Sequence, residues 1–510
     1  MAYLLGIDIG TSGTKTVLFD LKGKTIASAT EEYPLYQPYV GWAEQAPKDW
    51  WNAVVATIQA VIKKSGIIST EIQGIGLAGQ MHGLVLLNED NEPLRPSIIW
   101  CDQRTDQECI EITEKVGAQK LIDITGNPAL TGFTASKIMW VKKHEPEIYE
   151  RIAHILLPKD YIRLMLTGEY ATEVSDASGM QLLNIRERNW SKEILDILEI
   201  DRKWLPAVYE SQEISGFITK SISQATGLAE GTPVVGGGGD QAAGAIGNGI
   251  VESGIISSTI GTSGVVFAYT DEIVIDPKGR IHTFCHAIPD TWHVMGVTQG
   301  AGLSLRWFRD EFCQQEKDVA AQMGVDPYNL MTQAAKQASQ GSNGLLYLPY
   351  LMGERTPHLD PYARGVFFGL SAMHTKREMI RSIMEGITYS LQDCLSILEE
   401  LNIEVTKVRA SGGGAKSELW RQMQSDIFRK EVVTINAMEG PAFGVALLAG
   451  IGTGIYKNAK EACNITINEV DQSYPVVENI KIYEHYYKIY CKLYKDLKST
   501  FPMLQKNTMI

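Results

Sequence analysis

A four-residue turn, Gly-Thr-Ser-Gly, occurs at 10–13 and again at 261–264, about half of the 510-residue chain apart. In both places it joins two strand-like runs: LLGIDIG to KTVLFD in the first, IISSTI to GVVFAYT in the second. A strand–turn–strand unit repeated at that separation points to a duplicated α/β domain with a ligand held between the copies. Two cores of about 250 residues each suit the length.

Turns built of glycine and small hydroxyl residues expose several backbone N–H groups at once, and a phosphate can approach them closely. Gly10, Thr11, Ser12 and Lys15 supply amides, hydroxyls and a cation on one side, and Gly261 and Thr262 repeat the theme on the other. The better-known phosphate motifs fail. A P-loop ending at Gly23-Lys24-Thr25 would need glycine where Leu18 stands, and a dinucleotide fingerprint needs a helix after Gly13 where KTVLFD reads as a strand. A phosphate hairpin shared by two domains is the arrangement of actin-like ATPases and sugar kinases.

Further candidates gather around these turns. Asp8 ends the first strand and is placed to hold Mg²⁺ against a triphosphate, or to cap the turn. Asp240 follows Gly236–Gly239, where residues without Cβ let a substrate lie against the backbone; a carboxylate there can take the proton of an attacking hydroxyl. Gln80, Met81 and His82 lie between Gly79 and Gly83 and suit sugar hydroxyls or a structural role equally. Trp100, beside Asp102 and Arg104, fits a sugar face or a core position. Gly413, Gly414 and Ser417, between a strand and a helix, can lie against a purine and its ribose.

Helical spacing marks 46–65, 104–119, 136–151, 191–199, 376–400, 416–429 and 441–453, with buried strands at 72–79 and 83–90. The glycine-rich stretch beginning at 231 reads as the domain boundary, giving domains at 1–231 and 232–479 with Asp240 at the start of the second. Tyrosines and isoleucines at helical spacing in 481–498 predict a docked C-terminal helix, and the segment 480–510 is expected to join the first domain. A formal charge of −13 repels phosphate backbones and anionic lipids, so neither nucleic acid nor a membrane is expected as a partner. The start MAYLLGIDIG places Asp8 inside its apolar run with no basic segment before it, so no signal peptide is expected. Seven scattered cysteines with no C-x-x-C spacing fit a reducing cytoplasm.

Taken together, GIDIGTSGTK at 6–15, GQMHG at 79–83, IIWCDQRT at 98–105, GFTASKIMWVKKHEPE at 132–147, GGGGDQAAG at 236–244, STIGTSG at 258–264, LPYLMGERTPH at 348–358 and GGGAKSELWRQMQSDI at 412–427 resemble, in order, the FGGY carbohydrate kinases. The resemblance runs from about residue 3 to 455. It implies two ribonuclease-H-like domains of the actin-like ATPase type, with ATP, Mg²⁺ and sugar in the cleft between them. It implies Asp240 as catalytic base, Asp8 near the metal, and Gln80, Met81, His82, Trp100, Asp240 and Gln241 at the sugar. Gly10, Thr11, Ser12, Lys15, Gly261 and Thr262 would surround the phosphates; Gly302, Gly413, Gly414 and Ser417 would line the adenosine pocket. The implied activity is phosphorylation of D-xylulose to D-xylulose 5-phosphate. Gln241 stands where related chains often have Asn, which bears on sugar identity. Another ketopentose, a polyol or a sugar acid is the nearest alternative, and an actin- or chaperone-like ATPase switch the alternative from a different class. A homodimer is common in the family, though the composition does not demand one.

Overall fold

The computed structural model describes residues 2–437 and 439–505. The first sheet is built on β1 (Tyr3–Ile9), β2 (Gly13–Asp20), β3 (Thr25–Glu32), β4 (Ile72–Gly79), β5 (Ile214–Phe217), β6 (Pro233–Val235) and β7 (Gly238–Gly239). Its order is β5-β6-β4-β1-β2-β3, with β7 also on β4. The second sheet comprises β8 (Gly254–Ile260), β9 (Gly264–Thr270), β10 (His282–Cys285), β11 (Trp292–Thr298), β12 (Val405–Gly412), β13 (Glu431–Ile435) and β14 (Glu469–Ser473), in the order β10-β11-β9-β8-β12-β13-β14. Directions repeat between the sheets. An antiparallel hairpin, β1–β2 or β8–β9, is followed by a parallel neighbour, β4 or β12. The duplication expected from the two turns is therefore a duplication of topology.

Helix α1 (Pro47–Ser65) starts on Pro47, stops at Gly66 in the left-handed region, and buries Trp50, Val54, Ile58 and Val61 against the first sheet. That spacing keeps them on one face, and each such side chain contributes about 1.5–3 kcal/mol of burial. Helix α2 (Asp240–Gly247) follows β7 directly. In the second half, α3 (Lys376–Glu400) is capped by Thr375 and Glu378 and runs through the core with α4 (Glu418–Phe428). Helix α5 (Gly440–Gly452), although it follows β13 of the second sheet, lies on the first sheet, with Ala442, Phe443 and Val445 packed among Leu4, Val17, Phe19 and Ala78. The approach is close: a Cβ on Gly6 would sit 1.8 Å from the Ala442 carbonyl oxygen, and one on Gly76 2.0 Å from that of Val445.

Two expectations are corrected. The glycine run at 236–239 is not a linker after the first domain, because β6 and β7 are strands of the first sheet and the second sheet opens only at Gly254. Asp240 therefore stands at the end of the first sheet, not at the start of the second domain. The C-terminal helix α6 (Val477–Leu497) does not join the first domain. Tyr483, Tyr490, Leu493 and Tyr494 are buried in the core of the second, where Tyr483 accepts from Arg381 (2.8 Å) and Tyr490 shares a hydrogen bond with Tyr350 (2.8 Å). Residues 506–510 of the expected 480–510 segment lie outside the described residues. The strand expected over 83–90 is only Val85–Leu87. All seven cysteines are unpaired, and no described helix is long and apolar enough to cross a membrane.

Candidate active site

The first hairpin turns between Ile9 and Thr14, with Asp8 opposite Lys15 in register and beside Ala78 of β4. Gly238 flanks the same Ala78, so Asp8 and the strand leading to Asp240 lie on either side of one β-strand. Desolvation, then the charge of Asp240, push the Asp8 carboxyl up to about 7 against the pull of Lys15. Its Oδ1 is buried with no hydrogen-bond partner. An orphaned carboxylate oxygen near a second acid fits a divalent cation. Among the described residues no group of three metal-ligating side chains exists, so such an ion would take its remaining ligands from phosphate oxygens and water. Lys15, expected at the phosphates, is ion-paired with Glu439.

Gln80 was expected at the sugar. It is buried, and its amide is engaged within the protein: Nε2 donates to Gln45 Oε1 (2.7 Å) and Gly10 O (3.4 Å), while Oε1 accepts from Thr11 (3.4 Å). Through these bonds it supports the first hairpin. Gln45, which sequence reasoning missed, completes that support: Nε2 donates to Thr11 O (2.7 Å), and Oε1 also accepts from Trp50 Nε1 (3.2 Å). Nothing in the segment AEQAP marks this role, because its partners are distant in the chain. Trp100 is exposed, not core, and its indole N–H donates to Thr11 Oγ1 (2.8 Å), tying the expected sugar face to the hairpin. Gln45→Ala is expected to leave buried groups of Thr11 and Gln80 unpaired, costing about 1–3 kcal/mol of stability. The displaced hairpin should lower kcat by about 10²-fold with the sugar KM little changed; steady-state kinetics and a melting curve check both.

Behind Asp240 lies a charged cluster. Lys159, Asp160, Arg163, Glu173 and Asp176 are all buried; Lys159 Nζ is 2.7 Å from Asp160, 3.4 Å from Glu173 and 3.3 Å from Asp176. Arg163 donates to Gly236 O (2.6 Å), and Ser175, bonded to Glu173, accepts from Gly239 N (3.1 Å). Gly237 has φ +73°, and a Cβ there would meet the Leu77 carbonyl oxygen at 2.0 Å. The loop that aims Asp240 is thus fixed from both sides. Desolvation pushes the Asp240 carboxyl up to about 6, offset by hydrogen bonds from Gln241. Met81 packs under Gly239: a Cβ there would meet Met81 Cγ at 2.9 Å. His82, at φ +69°, pairs through Nδ1 with Gly179 O (2.7 Å), and its carbonyl accepts from Thr134 (3.1 Å) and Lys137 (2.8 Å). Burial, with the charges of Lys137 and Arg355 adding, holds the ring neutral, its pKa down at about 3. A neutral ring whose Nδ1 donates to a carbonyl keeps Nε2 as an acceptor for a hydroxyl.

In the second half of the chain, Gly261, Thr262, Gly302, Gly413, Gly414 and Ser417 line one cavity of about 470 Å³ with Tyr328, Leu419 and Trp420. Every residue expected around adenosine is in it. Gly302 is required by contact, since a Cβ would meet Gly261 O at 2.2 Å; its N–H donates to that oxygen (2.9 Å) and Leu303 N to Thr262 O (3.0 Å). Ser417 caps α4 by accepting from Trp420 N (3.2 Å). Gly10, Thr11 and Ser12 do not line this cavity, and Ser12 is exposed. Asp102 and Arg104, the polar neighbours of Trp100, are engaged within the protein. Arg104 is bonded to Asp102 (2.6–3.0 Å), paired with Glu44 (2.8 Å) and stacked on Trp42.

This geometry meets a consistent set of likenesses. The model of the FGGY family of carbohydrate kinases, N-terminal domain, matches residues 3–247, and that of the C-terminal domain residues 256–453. The chain is 41% identical to a xylulose kinase of Bacillus subtilis over 99% of this chain and 100% of that one. It is 34% identical to a gluconokinase of the same organism over 99% and 98%. A solved ligand-bound xylulose kinase from Lactobacillus acidophilus superposes with a TM-score of 0.92 at 29% identity, covering 99% of this chain and 100% of that one.

Proposed function

Because the chain belongs to the FGGY family of carbohydrate kinases, and is thus an ATP-dependent sugar kinase, we propose that its acceptor is D-xylulose and its product D-xylulose 5-phosphate. The observation that carries the choice of sugar is the full-length likeness to xylulose kinases, at 41% against 34% for the gluconokinase. The site's chemistry agrees. Of the residues expected at the sugar, His82, Gln241 and Trp100 are neutral and can hydrogen-bond to or stack on a polyol, and Asp240 is the one acid among them. Asp240 accepts the proton of the 5-hydroxyl as its oxygen forms a bond to the γ-phosphorus. The bond from that phosphorus to the β,γ-bridging oxygen breaks, and its electron pair leaves with ADP. Asp8 would hold Mg²⁺, which when bound supplies positive charge to the triphosphate. The second hairpin and the 470 Å³ cavity receive the nucleotide. Seven unpaired cysteines support a reducing cytoplasm.

A base must be ionised to act, and Asp240 is ionised above about pH 6. At saturating Mg-ATP, where the metal would hold Asp8 ionised, the value of kcat/KM for the sugar is therefore expected to fall about tenfold per unit as pH drops below about 6, and to level off above it. A pH profile flat down to 5 would remove Asp240 as base. The substrate is tested by ADP release with Mg-ATP against D-xylulose, L-xylulose, D-ribulose, L-ribulose, gluconate, glycerol and no sugar. D-xylulose is expected to give the highest turnover. A higher rate with gluconate would overturn the sugar assignment, and undiminished turnover without sugar would favour an ATPase switch.

A further inference from the structure

Arg355 lies in the segment Leu348–His358, whose chemistry the site described above leaves unused. Its backbone is held to the end of β11. The Glu354 carboxylate accepts from Thr298 Oγ1 (2.5 Å), from Gln299 N (2.8 Å) and from Arg355 N (2.7 Å), and Thr356 N donates to Val297 O (2.9 Å). Thr298 is the register partner of Gly264, the residue that closes the second phosphate hairpin. On its far side the same loop is clamped by the C-terminal helix. Tyr494 stacks on His358 at 3.4 Å and donates to Asp360 Oδ2 (2.9 Å), while Glu354 and Asp360 exchange backbone hydrogen bonds (2.8 and 2.9 Å). The arginine is thus presented by a rigid loop beside one phosphate hairpin. Its charge also acts on the ring of His82, which belongs to the other domain's sugar side.

Among the described residues the Arg355 guanidinium has no ion pair and no side-chain hydrogen bond. Burial works against its charge and is only partly offset by the neighbouring acid Glu354, whose carboxylate is bonded to Thr298, Gln299, Ser390 and the Arg355 backbone N–H and not to the guanidinium. An unpaired, partly desolvated cation is costly unless an anion arrives. The sugar is neutral, and Lys15, the cation of the first hairpin, is already paired with Glu439. We infer that Arg355 binds the phosphoryl group during its transfer and then the phosphate of the sugar product, from the side opposite the first hairpin. A planar guanidinium fork matches phosphate oxygens and stabilises the charge that develops on them.

The inference rests on reading the cleft as the phosphoryl-transfer site, and its test uses whichever sugar of the panel gives the highest turnover. Arg355→Ala is expected to lower kcat by about 10³-fold. Calorimetry should show affinity for the unphosphorylated sugar nearly unchanged and affinity for the sugar phosphate product reduced by roughly 10–100-fold. Guanidinium chloride at millimolar concentration should restore part of the lost turnover, which a structural role would not allow. Should the alanine variant melt early, Arg355→Lys and Arg355→Gln carry the same comparison, with Lys retaining more product affinity than Gln. Unchanged kcat and product affinity would overturn the assignment, as would equal loss of sugar and product affinity with kcat retained. Failure of D-xylulose to stimulate the unmodified chain would overturn the substrate reading alone, because the Arg355 comparison is made on the sugar that does.

Discussion

Asp240→Asn is expected to abolish almost all turnover while leaving the protein folded. Removing a positioned general base costs about 10²–10⁴-fold, and the upper part of that range applies here because Asp8, the neighbouring acid, is assigned to the metal. Asn has the same shape and keeps the start of α2 intact. It also removes a carboxyl whose pKa burial has already raised to about 6, so ionising it near neutral pH works against folding. The melting temperature should therefore stay level or rise as activity falls, the pattern of a residue retained for chemistry. The sugar KM should shift by only a few-fold. Retention of more than a tenth of the original turnover would sink the assignment.

The second large effect concerns stability. Lys159→Met leaves Asp160, Glu173 and Asp176 buried around an apolar side chain. Burial opposes the lysine's charge, but the three acids outweigh it and hold the ammonium above its ordinary pKa. Removing one partner from a buried ionic cluster costs about 3–5 kcal/mol, against a total stability for a folded domain of about 5–15 kcal/mol. The denaturation midpoint should drop accordingly. Asp176→Asn is the contrasting variant. Burial pushes the Asp176 carboxyl well above its ordinary pKa despite Lys159, so a neutral amide of the same shape should change stability by under about 1 kcal/mol. Equal losses in the two variants would mean that the cluster's charges are not arranged in this way.

Local patterns were readable from the chain and long-range pairings were not. The periodicity of α1, α3 and α5 and the apolar run of β4 placed those elements within a residue or two, because amphipathic spacing is a local property. The two hairpins and the glycines of the 470 Å³ cavity were legible for the same reason: small residues between strands leave few other purposes. The partners of Gln80, Asp102 and Arg104 were not legible, because a polar side chain near a turn looks available until its partner is known. Gln45 supplies that partner for Gln80, and Arg104 and Asp102 supply each other. The glycine run at 236–239 read as part of a domain boundary, yet its glycines answer to steric contact with Leu77, Met81 and Ser211. The tyrosines of α6 announced a docked face without saying which domain offered Asp360, Tyr350 and Arg381 as hydroxyl partners.

Helix α5 carries a consequence for how the chain is made. Leu4, Val17, Phe19 and Ala78 find their cover in a helix synthesised more than 350 residues later. A growing chain that has released its first 247 residues therefore displays an apolar sheet face with only Ala242, Ala243 and Ile246 of α2 to join it. Expression of residues 1–247 alone should yield aggregate, and co-expression of a piece containing α5 should rescue it. The two halves matched by separate family models therefore share one core, and the β13-to-α5 connection of the second half completes the first.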